Sequence, residues 1–141
     1  PNTIEQFSVN AIDYEAQEIR VMDVFDYFRY AKRHELKFGL VVLDPPSFAR
    51  SKKYTFSTAK NYPELVKDAI AVTEKNGIIV ASTNNASFGM KKFRSFIDKA
   101  FQDTNTKYKV LETYGLPKDF RVTREFPEFN YLKVVILQKL N

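Results

Sequence analysis

Phe38-Gly39-Leu40-Val41-Val42-Leu43-Asp44-Pro45-Pro46-Ser47-Phe48 decides how this chain is read. The run Phe38 to Leu43 is almost continuously apolar, the pattern of a strand covered on both faces in a parallel sheet. Asp44-Pro45-Pro46 ends it, because two prolines can neither donate ladder hydrogen bonds nor open a helix interior. Ligands of open α/β sheets sit outside the carboxyl ends of the strands, and Asp44 to Phe48 occupies such a place. A carboxylate there accepts hydrogen bonds from an amine or a ring N–H. The prolines stiffen the backbone, so its carbonyls are presented without reorganisation, and Phe48 offers a face on which a planar base can stack. The same string also fits a plain loop in which Asp44 terminates the strand and bonds its own backbone.

Outward from this string, periodicity alternates between strand and helix. Ile19 to Met22 reads as a short strand. Asp23 then opens a helix in which Val24, Phe25, Phe28 and Ala31 recur on one face. Pro63 suits the start of a second helix, whose buried stripe is Leu65, Val66, Ala69, Ile70 and Thr73. Asn76-Gly77 is its expected C-terminal stop. Ile78 to Ala81 is another short buried strand, and Met90, Phe93, Ile97, Ala100 and Phe101 mark a third helix. Tyr108 to Tyr114 and Tyr131 to Leu137 are β-like, joined by a polar loop rich in Arg and Glu. Strands alternating with helices and closed by two further strands define an α/β fold. Ile4 to about Asn10 looks helical with no strand ahead of it, so the chain is expected to start mid-fold.

Composition narrows the function. The 141 residues suit one domain, and 44% hydrophobic with 28% charged residues is a globular balance. The absence of Cys and the single His exclude thiolate metal sites and a Cys nucleophile within the chain. His34, beside Lys32, Arg33 and Glu35, belongs to a solvated helix end. Four well-separated glycines build no phosphate-cradling loop, and no apolar run nears the roughly 18 residues of a membrane helix. With 22 Lys+Arg against 17 Asp+Glu, the net charge of +5 is compatible with RNA as a partner without requiring it.

Asp-Pro-Pro-x-Phe after a buried strand resembles the fourth motif of class I S-adenosylmethionine-dependent methyltransferases that act on nucleic-acid bases. The longer string Asp44-Pro45-Pro46-Ser47-Phe48-Ala49-Arg50-Ser51-Lys52-Lys53 is similar to ribosomal-RNA large-subunit methyltransferases. The branches it resembles are methyltransferase I, which modifies a cytosine carbon, and the guanine-N7 half of methyltransferase K/L. Asp23-Val24-Phe25, Ser82-Thr83-Asn84-Asn85 and Pro127-Glu128-x-x-Tyr131-Leu132-Lys133 follow the same order and spacing.

The resemblance implies a Rossmann-like sheet, mostly parallel with an antiparallel C-terminal strand, in the family order 3-2-1-4-5-7-6. It implies S-adenosyl-L-methionine as cofactor, with Asp23 reaching the adenine and the Val24 amide near the ring nitrogen, although Asp23 also suits the helix N-cap. Asp44, Pro45 and Pro46 would border the methionine end and hold the target base, with Phe48 stacking on it. Asn84 stands where the cytosine-carbon enzymes carry their attacking Cys. Asn84-Asn85 instead resembles the guanine-N7 half, and a strand-end turn is the plainer reading of that pair. Lys52, Lys53, Arg121 and Arg124 are candidates for phosphate contacts, or ordinary surface charges.

The glycine-rich cofactor motif and the ribose-gripping acid would lie on two strands ahead of Pro1. Residues 1–141 are therefore expected to form the C-terminal part of a catalytic domain. The expected function is cytoplasmic methylation of an RNA base, with no metal and no membrane. A non-catalytic RNA-binding module on the same fold is the alternative. The isolated chain is expected to bind S-adenosylmethionine negligibly, and either to self-associate through the edge at Leu40 to Leu43 or to let its first helix and strand pack elsewhere.

Overall fold

A computed structural model describes residues 2–50, 55–123, 125–126 and 129–141. The apolar run Phe38–Leu43 is strand β1, preceded by helices α1 (Asn2–Val9) and α2 (Val24–Arg33). A hairpin follows, β2 (Phe48–Arg50) against β3 (Thr55–Ser57), and leads into helix α3 (Thr58–Val72). Then come β4 (Thr73–Thr83), α4 (Met90–Asp103), β5 (Tyr108–Tyr114) and β6 (Lys133–Lys139).

The main sheet has the order β1-β4-β6-β5. β1 and β4 are parallel, with Leu40 opposite Ile78 and Leu43 opposite Ala81. β6 runs antiparallel to both β4 and β5, so β1, β4 and β5 point one way and β6 alone is reversed. This is the 4-5-7-6 half of the expected order, with the antiparallel C-terminal strand in its expected place. Side-chain alternation divides the strands cleanly. Ile79, Ala81, Val135 and Leu137 are fully buried on one face, while Ile78, Val80, Val134 and Ile136 on the other are half-buried.

Helices α3 and α4 cover the buried face. Tyr62, Leu65, Val66, Ala69 and Ile70 recur at helical spacing on α3, and Phe93, Phe96, Ile97, Ala100 and Phe101 do so on α4; all are buried. Removing each large side chain from water contributes about 1.5–3 kcal/mol, so these two stripes hold the sheet and helix layers together. α2 adds Phe28 and Ala31 to the same core.

Four sequence expectations are corrected. Ile19–Met22 is not a strand: it runs as irregular backbone with Val21 99% exposed. Among the described residues no strand lies beyond β1 to complete a ladder for it. Arg20 instead folds onto α2, its guanidinium 4.4 Å from the centre of the Tyr30 ring. β1 is covered on one face only, since Leu40 and Val42 are 58% and 62% exposed. α3 starts at Thr58, not at Pro63, because the Thr58 N–H and Oγ1 are already engaged by the Ser47 and Pro46 carbonyls. Pro63 thus lies inside the helix, buried. The helix ends at Val72, where the Thr73 hydroxyl donates to the Ala69 carbonyl at 2.7 Å. Asn76-Gly77 sits within β4, with Asn76 at φ 63° and Gly77 packed closely against the Gly39 carbonyl.

Candidate active site

β1 ends at Asp44, and the chain cannot continue the ladder through Pro45 and Pro46. It turns instead into the β2–β3 hairpin, which returns over the end of the sheet. Between this turn, α2 and the hairpin lies a cleft of about 380 Å³. Asp23, Val24, Asp44, Pro45 and Pro46 line it, with Phe25, Leu43, Phe56 and Leu65 among its apolar side chains. The two segments that the sequence singled out, about twenty residues apart, thus share one cavity.

The Asp23 carboxylate caps α2. Both of its bonds, from the Phe25 N–H at 2.9 Å and the Asp26 N–H at 3.4 Å, fall on Oδ1. Oδ2 has no partner among the described residues, and neither does the Val24 N–H, which belongs to the unsatisfied first turn of a helix. A free carboxylate oxygen beside a free amide is an acceptor–donor pair suited to one edge of an aminated heterocycle. The cap and the ligand role are therefore compatible, each using its own oxygen.

Asp44 is exposed and held from behind. Ser82 Oγ donates towards both the Leu43 carbonyl, at 3.1 Å, and Asp44 Oδ1. The buried Tyr62 hydroxyl donates to the Ser82 carbonyl at 2.8 Å. Burial, reinforced by the negative charge of Asp44, pushes the Tyr62 phenol far above its ordinary pKa, so it stays a donor. Thr58 Oγ1 lies 3.3 Å from the Pro46 and Ser47 carbonyls and fixes the proline turn to the start of α3.

The end of β4 lies alongside. Asn84 is exposed, its Oδ1 accepting from Ser47 Oγ at 2.7 Å. Asn85 uses its Oδ1 to receive the Ser87 N–H at 2.8 Å. Asn85 thus makes the hydrogen bonds of a strand-end turn, whereas Asn84 is tied to the proline turn. Lys133 donates to the Asn85 and Tyr131 carbonyls at 2.8 and 2.6 Å, and burial lowers its ammonium pKa.

Phe48 is 62% exposed on β2 and does not line the cleft. Arg121 is exposed in the β5–β6 connection and does not line the cleft. Lys53, with Ser51, Lys52, Arg124, Pro127 and Glu128, lies outside the described residues. Ser47, Ser82, Tyr62 and Lys133 were not singled out as site residues in the sequence. Ser82 lies inside the quoted Ser82-Thr83-Asn84-Asn85 string, but nothing in the pattern marks Tyr62. Among the described residues no group of acidic or imidazole side chains is placed to hold a metal ion, and no helix is long and apolar enough to cross a membrane.

This fold is that of the class I S-adenosylmethionine-dependent methyltransferases, and the chain belongs to that family. It is 61% identical over 137 residues, 97% of its length, to the Bacillus subtilis (strain 168) protein named "Putative ribosomal RNA large subunit methyltransferase YwbD". Ribosomal RNA large subunit methyltransferase K of Neisseria meningitidis is 31% identical over 117 residues, 82% of the chain. Among solved structures, "SMU.776, a putative methyltransferase complexed with SAH" superposes with a TM-score of 0.89 at 39% identity over 96% of the chain. The chain spans 35%, 31% and 35% of the lengths of these three. No family model matches.

Proposed function

We propose that residues 1–141 form the C-terminal part of a catalytic domain that methylates a base of RNA, with large-subunit ribosomal RNA in the cytoplasm as the substrate. The observation that carries this reading is the shared cleft of Asp23-Val24 and Asp44-Pro45-Pro46. Its chemistry fits the cofactor in part. The free Asp23 Oδ2 and Val24 N–H match an adenine edge, and apolar walls suit the ring's faces. S-adenosyl-L-methionine, when bound, supplies a methyl group on a sulfonium centre.

The chain's own residues then orient the acceptor. Asp44 accepts from an exocyclic amine or ring N–H of the base, and the rigid proline turn offers carbonyls as further acceptors. Asn84 and Asn85 add edge contacts, while Phe48, Lys53 and Arg121 contact the surrounding RNA. A ring nitrogen already carries the lone pair that forms the new bond, so no covalent attachment to the protein is needed. The relatives' names, which refer to ribosomal RNA, support the substrate class.

The product tests this. With Asn84 where the cytosine-carbon enzymes hold their nucleophile, the expected product is a nitrogen- or oxygen-methylated nucleoside. Mass spectrometry of digested RNA after reaction with the purified protein reads it directly, and 5-methylcytidine would overturn the reading.

Among the described residues β1 pairs only with β4, and its free edge carries the exposed Leu40 and Val42. A flat apolar edge recruits another strand, so the 141-residue chain is expected to self-associate and Leu40→Lys to weaken that association. Sedimentation showing a compact monomer of the unsubstituted chain would contradict this.

A further inference from the structure

Asp44 is the residue on which the base-holding role rests, yet a carboxylate at the end of a strand has several staggered rotamers open to it. The parallel register explains why one is favoured. Val42 pairs with Val80 and Leu43 with Ala81, so the next residues, Asp44 and Ser82, lie side by side with their side chains on the same face. Ser82 is 7% exposed, and its single hydroxyl proton is shared between the Leu43 carbonyl at 3.1 Å and Asp44 Oδ1. The Leu43 bond fixes where the hydroxyl can point, which in turn fixes the oxygen of Asp44 that meets it. Behind Ser82, the Tyr62 hydroxyl holds the Ser82 carbonyl at 2.8 Å. The Tyr62 ring is fully buried, edge-on to Phe93 with centroids 4.9 Å apart. The arrangement runs from the core of α3 through β4 to the exposed carboxylate, and each link is a hydrogen bond.

We propose that Ser82 and, behind it, Tyr62 are positioning residues that hold the Asp44 carboxylate in one rotamer for the acceptor base. This rests on the reading of Asp44 as the base-holding group. Neither residue lines the cavity, so cofactor contacts are left intact by changing them. A misplacement of about 1 Å in a positioned group costs on the order of 100-fold in rate, and loss of one of several restraints costs less.

The test measures the full-length protein in steady-state methyl transfer to RNA, together with the χ1 angle of Asp44 from three-bond scalar couplings in selectively aspartate-labelled protein. Ser82→Ala is expected to lower kcat about 10-fold with KM for the cofactor unchanged and to average the Asp44 couplings over several rotamers. Ser82→Thr, which keeps the hydroxyl, is expected to restore both. Tyr62→Phe keeps the core ring and is expected to give a smaller loss, about 3-fold. A single unchanged Asp44 rotamer in Ser82→Ala would overturn the proposal, as would full kcat in that variant while Asp44→Ala is inactive. If instead Asp44→Ala keeps its activity, the base-holding reading fails, and the couplings still decide whether Ser82 sets the rotamer.

Discussion

Asp44→Ala is expected to reduce methyl transfer to RNA by about 100-fold or more while changing affinity for S-adenosylmethionine by no more than a small factor. The asymmetry follows from the cleft. Asp44 lines the same cleft as Asp23 and Val24 but takes no part in their donor–acceptor pair, so removing its carboxylate leaves that pair and the apolar walls in place. The fold should not suffer. Asp44 is exposed, and Ser82 Oγ keeps the Leu43 carbonyl as its acceptor when the carboxylate is gone. No buried donor is then left unpaired, which is the usual source of large destabilisation at polar positions. The variant should unfold within a few tenths of a kcal/mol of the parent. Initial rates on RNA with the full-length protein, beside calorimetric cofactor binding, check both halves. Methylation at the parent rate would remove Asp44 from the mechanism; equal losses of rate and cofactor affinity would move it to the cofactor's side.

Much of this arrangement is legible in the sequence. The α2, α3 and α4 stripes have a strong 3.6-residue period, and Asp-Pro-Pro after an apolar run marks the end of a strand through the chemistry of proline alone. What could not be read belongs to partners distant in sequence. Ile19–Met22 has the composition of a strand, but a strand exists only where another offers its backbone, and none is described beside it. Leu40 and Val42 look identical to Val41 and Leu43 in the sequence; only the placement of α3 and α4 on a single face separates exposed from buried. The β2–β3 hairpin is too short for a period to show, and it supplies Ala49, Arg50 and Phe56 to the cleft. Tyr62 was hidden for another reason. An aromatic residue ahead of Pro63 carries no local sign that its hydroxyl meets a carbonyl twenty residues away.

Phe93→Ala is expected to be among the most damaging substitutions for stability, costing about 3–5 kcal/mol against a total that is about 5–15 kcal/mol for ordinary domains. Phe93 is fully buried, edge-on to Tyr62 at 4.9 Å and 6.5 Å from the stacked Phe88 ring. A cavity left there cannot collapse freely. The nearest ring able to move in is Tyr62, and its hydroxyl is bonded to the Ser82 carbonyl; shifting it would strand a buried polar group. The lost transfer energy and the unfilled volume therefore add, instead of one relieving the other. Phe48→Ala is the matched control: the same atoms are removed, but from a ring that is 62% exposed, so the expected change is within about 0.5 kcal/mol. Urea unfolding of both variants separates them, with the Phe93 variant's midpoint falling sharply at an unchanged slope. If the two midpoints moved together, Phe93 would not be the ring that joins α4 to α3 beneath the site.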